Sequence, residues 1–199
     1  NNIDITEAKT IAASANITVT NARIDNIGSN ATVTNNGIFS INCDIIGNNA
    51  TTSKWTNAAG SRLNIGGVLL ATGLLTASAT GNTVNYNGTA NQTIKQPQDA
   101  IGTPLSYYNL EVSNSGGAIA TNPDLAGGII VDNNFTINCL SIARLQFNRP
   151  FTVSGSTIIN GEWRLDAATA TITLNHLIVN SCGLITSNVT NTVTVNGNV

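Results

Sequence analysis

Residues 39–43 read FSINC and residues 135–139 read FTINC, two nearly identical stretches in which apolar and polar side chains alternate. Segments of the same kind recur along the chain, and most of them end in Asn or Gly, as at 83–88 (TVNYNG) and 192–197 (TVTVNG). Alternation with a period of two, closed by Asn-Gly or Gly-Gly, is typical of short β-strands that end in turns. The sequence therefore predicts an all-β protein.

The spacing of these segments indicates how the strands are arranged. From residue 63 onwards, successive segments begin 16 to 26 residues apart, which is a loose period near 20. Such a period predicts one small unit repeated along the chain, and a propeller blade would need about 40 residues. We therefore expect a right-handed parallel β-helix, or β-solenoid, of about nine or ten turns. The alternative is one or two β-sandwiches, which would need more closely spaced hairpin turns than the Asn-Gly pairs at 36–37 and 87–88 supply.

The composition indicates a surface that is solvated almost without charge. The chain has 31 Asn and 27 Thr, and only 9% of its residues are charged, against about a quarter in typical soluble domains. Asn tolerates left-handed backbone at corners and can hydrogen-bond to Asn in the next turn. Eight basic residues and a net charge of −2 argue against a nucleic-acid partner. No apolar run approaches the roughly 18 residues of a transmembrane segment.

Three short motifs in the middle of the chain resemble a repeat of very large surface proteins of the Bacteroidota. These are adhesin-like chains exported by the type IX secretion system, and some members are gliding-motility adhesins. The matching positions are Trp55, Asn57, Gly60, Ser61, Asn82, Thr83, Val84, Tyr86, Gly88, Tyr107, Tyr108, Asn109 and Leu110, with Gln92 displaced by one residue. The motifs place a repeat core at about 53–137 within one continuous segment, 1–199, which we expect to belong to a much longer chain.

The resemblance implies a structural or adhesive module at the surface of a Gram-negative bacterium. Its implied partners are neighbouring domains or copies stacked end to end, and glycans or other surfaces. Because exposed aromatic rings stack on sugar faces, the candidate glycan contacts are Tyr86, Tyr107, Tyr108 and Trp163. The competing interpretation is that these rings pack at the corners of the solenoid.

Other functions remain as alternatives. Glu162, Arg164 and Asp166 would share one face of a strand, as in a polysaccharide-degrading enzyme, although a salt-bridged, solvated wall is the simpler interpretation. The Thr-x-Thr pairs at 18/20, 32/34, 171/173 and 192/194 invite an ice-binding interpretation but are too few for a regular array. A subunit of an extracellular filament is the third alternative. Neither the single His176 nor the DNN at 132–134 has the context of a catalytic or calcium site, so we predict no catalytic residue, cofactor or metal.

The three cysteines follow alternating stretches in similar positions. Cys43 ends FSINC, Cys139 ends FTINC and Cys182 ends LIVNSC. If the alternation continues through each cysteine, all three cysteine side chains point inward, and the Phe and Ile that precede Cys43 and Cys139 point inward with them. Burial raises a thiol pKa and suppresses its reactivity. We therefore expect three reduced, buried thiols.

Overall fold

The computed structural model describes residues 1–199 and consists of β-strands and turns without a helix. The chain coils through nine turns of a parallel β-solenoid. Neighbouring strands are parallel, as in the pairs of 38–41 with 62–65 and of 142–145 with 162–165. The predicted solenoid is confirmed, and the alternative β-sandwich, which requires antiparallel strands, is excluded. The protein has no helix of the length and hydrophobicity that crossing a bilayer requires.

The strands are short because corners interrupt them two or three times in each turn. Turns 1 to 3 contain β1 (Asn2–Ile5), β2 (Lys9–Ile11), β3 (Asn16–Val19), β4 (Arg23–Ile27), β5 (Thr32–Asn35), β6 (Ile38–Ile41), β7 (Ile45–Gly47), β8 (Lys54–Asn57) and β9 (Arg62–Ile65). Turns 4 to 6 contain β10 (Leu74–Thr76), β11 (Thr83–Tyr86), β12 (Gln92–Thr93), β13 (Asn109–Val112), β14 (Ile119–Thr121), β15 (Ile129–Val131) and β16 (Phe135–Ile137). Turns 7 to 9 contain β17 (Ile142–Leu145), β18 (Phe151–Ile159), β19 (Glu162–Leu165), β20 (Ile172–Val179), β21 (Leu184–Thr186) and β22 (Val193–Val195).

These strands form three faces. The first face is made of two separate sheets, β1-β4-β7 and β12-β14-β17-β19-β21. The second face begins with β2, β5, β8 and β10 and continues with β15, the first halves of β18 and β20, and β22. The third face runs without interruption from β3 to β20. It is the continuous ladder of the molecule.

The core is a set of columns in which equivalent residues of successive turns stack. On the third face, Phe39 and Phe135 belong to one column, four turns apart, joined by Leu63, Val84 and Leu110. These side chains are buried within a continuous cluster of 36 residues. The alignment of FSINC with FTINC is therefore confirmed, as is the inward direction of their Phe and Ile. Stacking apolar columns in register removes both faces of each side chain from water, which is the main source of stability in a solenoid.

Asparagine side chains also connect successive turns. The Asn35 side chain donates to Asn57 (3.2 Å), and the Asn133 side chain donates to Asn109 (2.9 Å). Each pair lies in adjacent turns, so the predicted role of Asn in cross-turn hydrogen bonding is confirmed. At the two ends of the stack, apolar side chains of the first and last turns are exposed, among them Ile17 at one end and Leu184 at the other.

Candidate functional site

The first face is interrupted between turns 4 and 5. Leu69 pairs with Ile45 of turn 3 through an isolated bridge, and the sheet that begins with β1 ends there. The next residue, Leu70, has a left-handed backbone (φ 49°) and is buried, a conformation that a bulky side chain rarely adopts. It turns the chain away before a longer strand can form. On the other side of the break, β12 pairs only with β14.

A cleft of about 380 Å³ occupies this break. It is lined by residues 68–71 of turn 4, residues 93–96 of turn 5 and residues 123–125, which belong to the corner loop between β14 and β15. The lining is mostly apolar, and Val68 and Leu125 are both exposed. Its volume falls within the range of small-molecule and peptide sites. We name this feature the cleft.

Both edges of the break in the first face carry unpaired backbone groups. Leu69 and Ala71 neither donate nor accept a backbone hydrogen bond, whereas Leu70 between them donates to Ile45 (2.7 Å). On the opposite edge, the Ile94 N–H donates to Thr121 (2.8 Å), away from the cleft. Because alternate residues of a strand bond to opposite neighbours, the N–H and C=O of Thr93 point towards turn 4. Leu69 is buried, and Ala71 and Thr93 are exposed, so both edges of the break offer backbone donors and acceptors that have no partner within the chain.

Two buried tyrosines hold the backbone of Lys95 at the cleft. The Lys95 N–H donates to the Tyr86 hydroxyl (2.8 Å), and the Tyr107 hydroxyl donates to the Lys95 carbonyl. The two hydroxyl oxygens are 3.1 Å apart. Burial raises the pKa of Tyr86 to about 12 and raises the pKa of Tyr107 well above its ordinary value. Both therefore stay neutral hydrogen-bonding groups at physiological pH.

The Lys95 side chain is partly buried among the lining residues and has no partner within the chain. The six ion pairs of the protein involve other residues. Burial lowers the pKa of Lys95, because an ammonium loses solvation at an apolar wall. Asp124, at the rim, is neutralised by Arg149 (2.6 Å). The cleft therefore carries one uncompensated positive charge.

The wall beside Lys95 is held in place by a hairpin. Residues 97–105 leave the solenoid between β12 and Tyr107, and the Leu105 N–H returns to the Pro97 carbonyl (2.8 Å). The Gln96 side chain donates to the Gly128 carbonyl (2.6 Å), which ties the hairpin base to the 122–128 loop. A Cβ at Gly127 would lie 2.2 Å from Pro104 Cγ, so the loop fits against the hairpin only with glycine there. Loops set on a rigid scaffold in this way are common places for binding sites.

The predicted glycan contacts are wrong for three of the four aromatic residues. Tyr86, Tyr107 and Trp163 are all buried. Trp163 packs against Phe135 and Phe151, with ring centroids 5.6 and 5.4 Å away. Burial follows from alternation, because Trp163 has the same direction as Leu165 in β19. Tyr108 is only partly buried and remains accessible.

The motifs that resemble surface-protein repeats have structural roles. The Trp55 indole N–H donates to Asn57 (3.0 Å), and Asn57 donates to the Thr83 carbonyl of the next turn (3.3 Å). The Gln92 side chain donates to the carbonyls of Ile65 (3.0 Å) and Gly67 (2.8 Å) and bridges one end of the break in the first face. The motif residues therefore connect turns 3, 4 and 5.

No protein family, curated protein or solved structure matches this chain. The site must therefore be interpreted from its own geometry.

The candidate enzyme residues lie together on the outer side of the first face. Glu162 accepts two hydrogen bonds from Arg164 (both 2.9 Å), and the Asp166 carboxylate pairs with Arg144 of the preceding turn (2.7 Å). The hydrogen bonds from Arg164 lower the pKa of Glu162. Glycosidases need an acid with a raised pKa, so this arrangement favours the salt-bridged wall.

The remaining candidates are dispersed. His176 accepts a hydrogen bond from the Asn198 N–H (3.0 Å), and Asp132 accepts one from the Ser106 hydroxyl (2.5 Å). No group of three or more His, Cys, Asp or Glu side chains lies close enough to hold a metal ion.

The expectation of three reduced, buried thiols is wrong. Cys139 and Cys182 form a disulfide with a Cα–Cα distance of 6.2 Å, and both residues are exposed. Cys43 is the free cysteine, and it packs, partly buried, against the core. Alternation places a side chain only within a strand, and β16 ends at Ile137, before the cysteine.

The lengths of three successive corners explain the pairing. Four residues, 138–141, connect β16 to β17, and four residues, 180–183, connect β20 to β21. Only Asn160 and Gly161 connect β18 to β19 in the turn between them. A Cβ at Gly161 would lie 2.3 Å from the Asn138 carbonyl oxygen. Only glycine therefore lets this short corner pack directly against the backbone of the preceding corner. The two longer corners meet across it, and the disulfide joins turns that are not adjacent.

Sequence reasoning missed Lys95 and the cleft. One signal was present, because the spacing from 84 to 110 is the longest among the segments and contains Lys95, Pro97 and Pro104. An insertion that interrupts a regular repeat is a reason to look for a site there.

Proposed function

We propose that this chain is a stiff spacer module of a large extracellular surface protein, and that it holds contact surfaces for attachment to glycans, other surfaces or other cells. The observation that carries the proposal is the continuous ladder of the third face, which joins successive turns by parallel backbone pairing over the length of the molecule. At about 4.8 Å per strand, nine turns make a stack about 40 Å long. Bending it would break pairing on one of its faces.

The disulfide supports an extracellular location. Disulfides persist in oxidising compartments and are rare in reducing ones. Cys139 and Cys182 are exposed and would be open to reduction in a reducing cytosol. The pairing also fastens two corners of the rod across an intervening turn, which suits a module under mechanical load.

The exposed ends of the core support stacking on neighbouring domains or copies. Ile3 and Ile17 are exposed at one end, and Val179 and Leu184 at the other. Natural solenoids cover such ends with polar capping repeats or with further structure. A neighbouring domain would bury these side chains and continue the rod.

Spin-label distances test the stiffness of the module. Thr18 and Ile178 lie on the outer side of the third face and are joined by seven consecutive strand pairings. Thr18→Cys and Ile178→Cys, labelled in a Cys43→Ser background, should give a narrow distribution centred near 34 Å, from seven steps of about 4.8 Å. The control pair Thr18→Cys with Thr136→Cys spans five pairings and should give about 24 Å. A broad distribution for the long pair would overturn the spacer role.

The enzyme alternative is tested with the same protein. We expect no cleavage of polygalacturonate or of neutral plant and algal polysaccharides. Turnover that disappears in Asp166→Asn, but not in the control Asp25→Asn, which changes an ion-paired aspartate of turn 2, would replace the structural proposal with a catalytic one.

A further inference from the structure

We propose that the cleft between turns 4 and 5 binds an extended polypeptide segment that adds a strand to the interrupted first face and places an acidic side chain against Lys95. This inference rests on the geometry and the charge of the cleft and does not depend on the spacer role.

The first argument is the state of the two strand edges. Leu69 and Ala71 on one side of the cleft make no backbone hydrogen bond, and the groups of Thr93 on the other side point towards them. A sheet edge with free N–H and C=O groups is a template for another strand. An extended peptide supplies donors and acceptors at the spacing of the edge, whereas a sugar ring does not. Strand addition is a common way in which proteins bind peptides.

The second argument is the shape of the site. The lining residues come from both edges of the break and from the 122–128 loop, so the cleft is the gap in the sheet itself. On the second and third faces, turns 4 and 5 remain paired through Ala77 with Tyr107 and through β11 with β13. The break is therefore local, and the surrounding turns hold its walls in place.

The third argument is the charge. Lys95 has no ion pair, its backbone is fixed by Tyr86 and Tyr107, and Asp124 nearby is occupied by Arg149. A partly desolvated ammonium is stabilised most by a charge-assisted hydrogen bond to a carboxylate that has no other cationic partner. Val68 and Leu125 line the same cleft and offer exposed apolar contacts. The preferred segment is therefore extended, with apolar side chains flanking one Glu or Asp.

Binding is tested with fluorescent, capped hexapeptides in which Thr and Val alternate and a single Glu occupies each position in turn. We expect binding by fluorescence anisotropy and slowed amide hydrogen exchange at Leu69, Ala71 and Thr93. Lys95→Met should weaken binding at least tenfold. Because the Lys95 side chain has no partner in the chain, this variant should keep the native circular dichroism. Lys54→Met, which removes a positive charge from β8 on the second face and outside the cleft lining, should bind as the parent does.

Peptides methylated on alternate backbone nitrogens separate strand addition from simple charge attraction, because they keep the Glu and lose the donors. We expect these peptides not to bind. The proposal is overturned if no peptide binds at millimolar concentration, or if methylation or Lys95→Met leaves binding unchanged. It is also overturned if trigalacturonate, tested as an acidic sugar, protects the same three amides and displaces the peptides.

Discussion

Removing the disulfide should destabilise the second half of the solenoid. Cys139 and Cys182 are 43 residues apart, and cross-linking a loop of that length lowers the entropy of the unfolded chain by an amount worth about 4 kcal/mol at 25 °C. The double variant Cys139→Ala, Cys182→Ala, or reduction of the parent, should lose up to this much free energy of unfolding. The loss falls on turns 7 and 8, which lie inside the loop.

The two tryptophans make this measurable by region. Trp163 lies inside the disulfide loop, and Trp55 lies in turn 3, outside it. In urea unfolding, Trp55→Phe leaves Trp163 as the reporter and Trp163→Phe leaves Trp55. Each is compared oxidised and reduced, so the effect of the substitution itself cancels.

We expect reduction to lower the urea midpoint reported by Trp163. This shift should be at least as large as the shift of the midpoint reported by Trp55. If the turns unfold separately, as repeat proteins can, only the Trp163 transition moves. Thiol titration of the unfolded, unreduced chain should find one thiol, that of Cys43. Three thiols, or a Trp163 transition that does not move on reduction, would refute the pairing and the corner geometry behind it.

Two further predictions concern buried polar groups. Asn57→Ala removes the acceptor for the Trp55 indole and the Asn35 amide and should cost about 3 kcal/mol of unfolding free energy, measured by urea denaturation. The outward Thr56→Ala should change it by less than about 0.5 kcal/mol, and equal effects would contradict the hydrogen-bond network. The pKa of Tyr86 is about 12 in the folded protein and about 10 in an unfolded chain. Because the pKa of Tyr86 is higher in the folded state, the stability that its neutral hydroxyl contributes is complete below pH 10 and is lost as the pH rises towards 12. The urea midpoint should therefore fall across that range. It should fall less steeply in Tyr86→Phe.

Alternation within strands predicted the fold and much of the core. Phe39 and Phe135 could be assigned to one column because a period of two, once in register, places every second side chain inward. The same rule predicts that Tyr86 and Trp163 are buried. Tyr86 points in the same direction as Val84, and Trp163 points in the same direction as Leu165. Their aromatic character suggested sugar contacts, but their position in the strand decided their burial.

The disulfide and the cleft could not be predicted from local pattern. The cysteine pairing depends on one two-residue corner between two four-residue corners, and alternation does not give corner lengths. The cleft begins where Leu70 adopts a left-handed backbone, which its side chain does not indicate, since Gly and Asn are the residues that usually do so. Both features arise from how successive turns are offset in space.

Stretching single molecules from their two ends tests the spacer role most directly. A stacked, hydrogen-bonded rod should resist extension and then unfold in discrete steps. With the disulfide intact, the 43-residue loop stays closed, so the fully extended oxidised chain should be about 150 Å shorter than the reduced chain, at about 3.3–3.6 Å per residue. Smooth extension at low force, or equal extended lengths before and after reduction, would contradict a stiff solenoid joined across its turns.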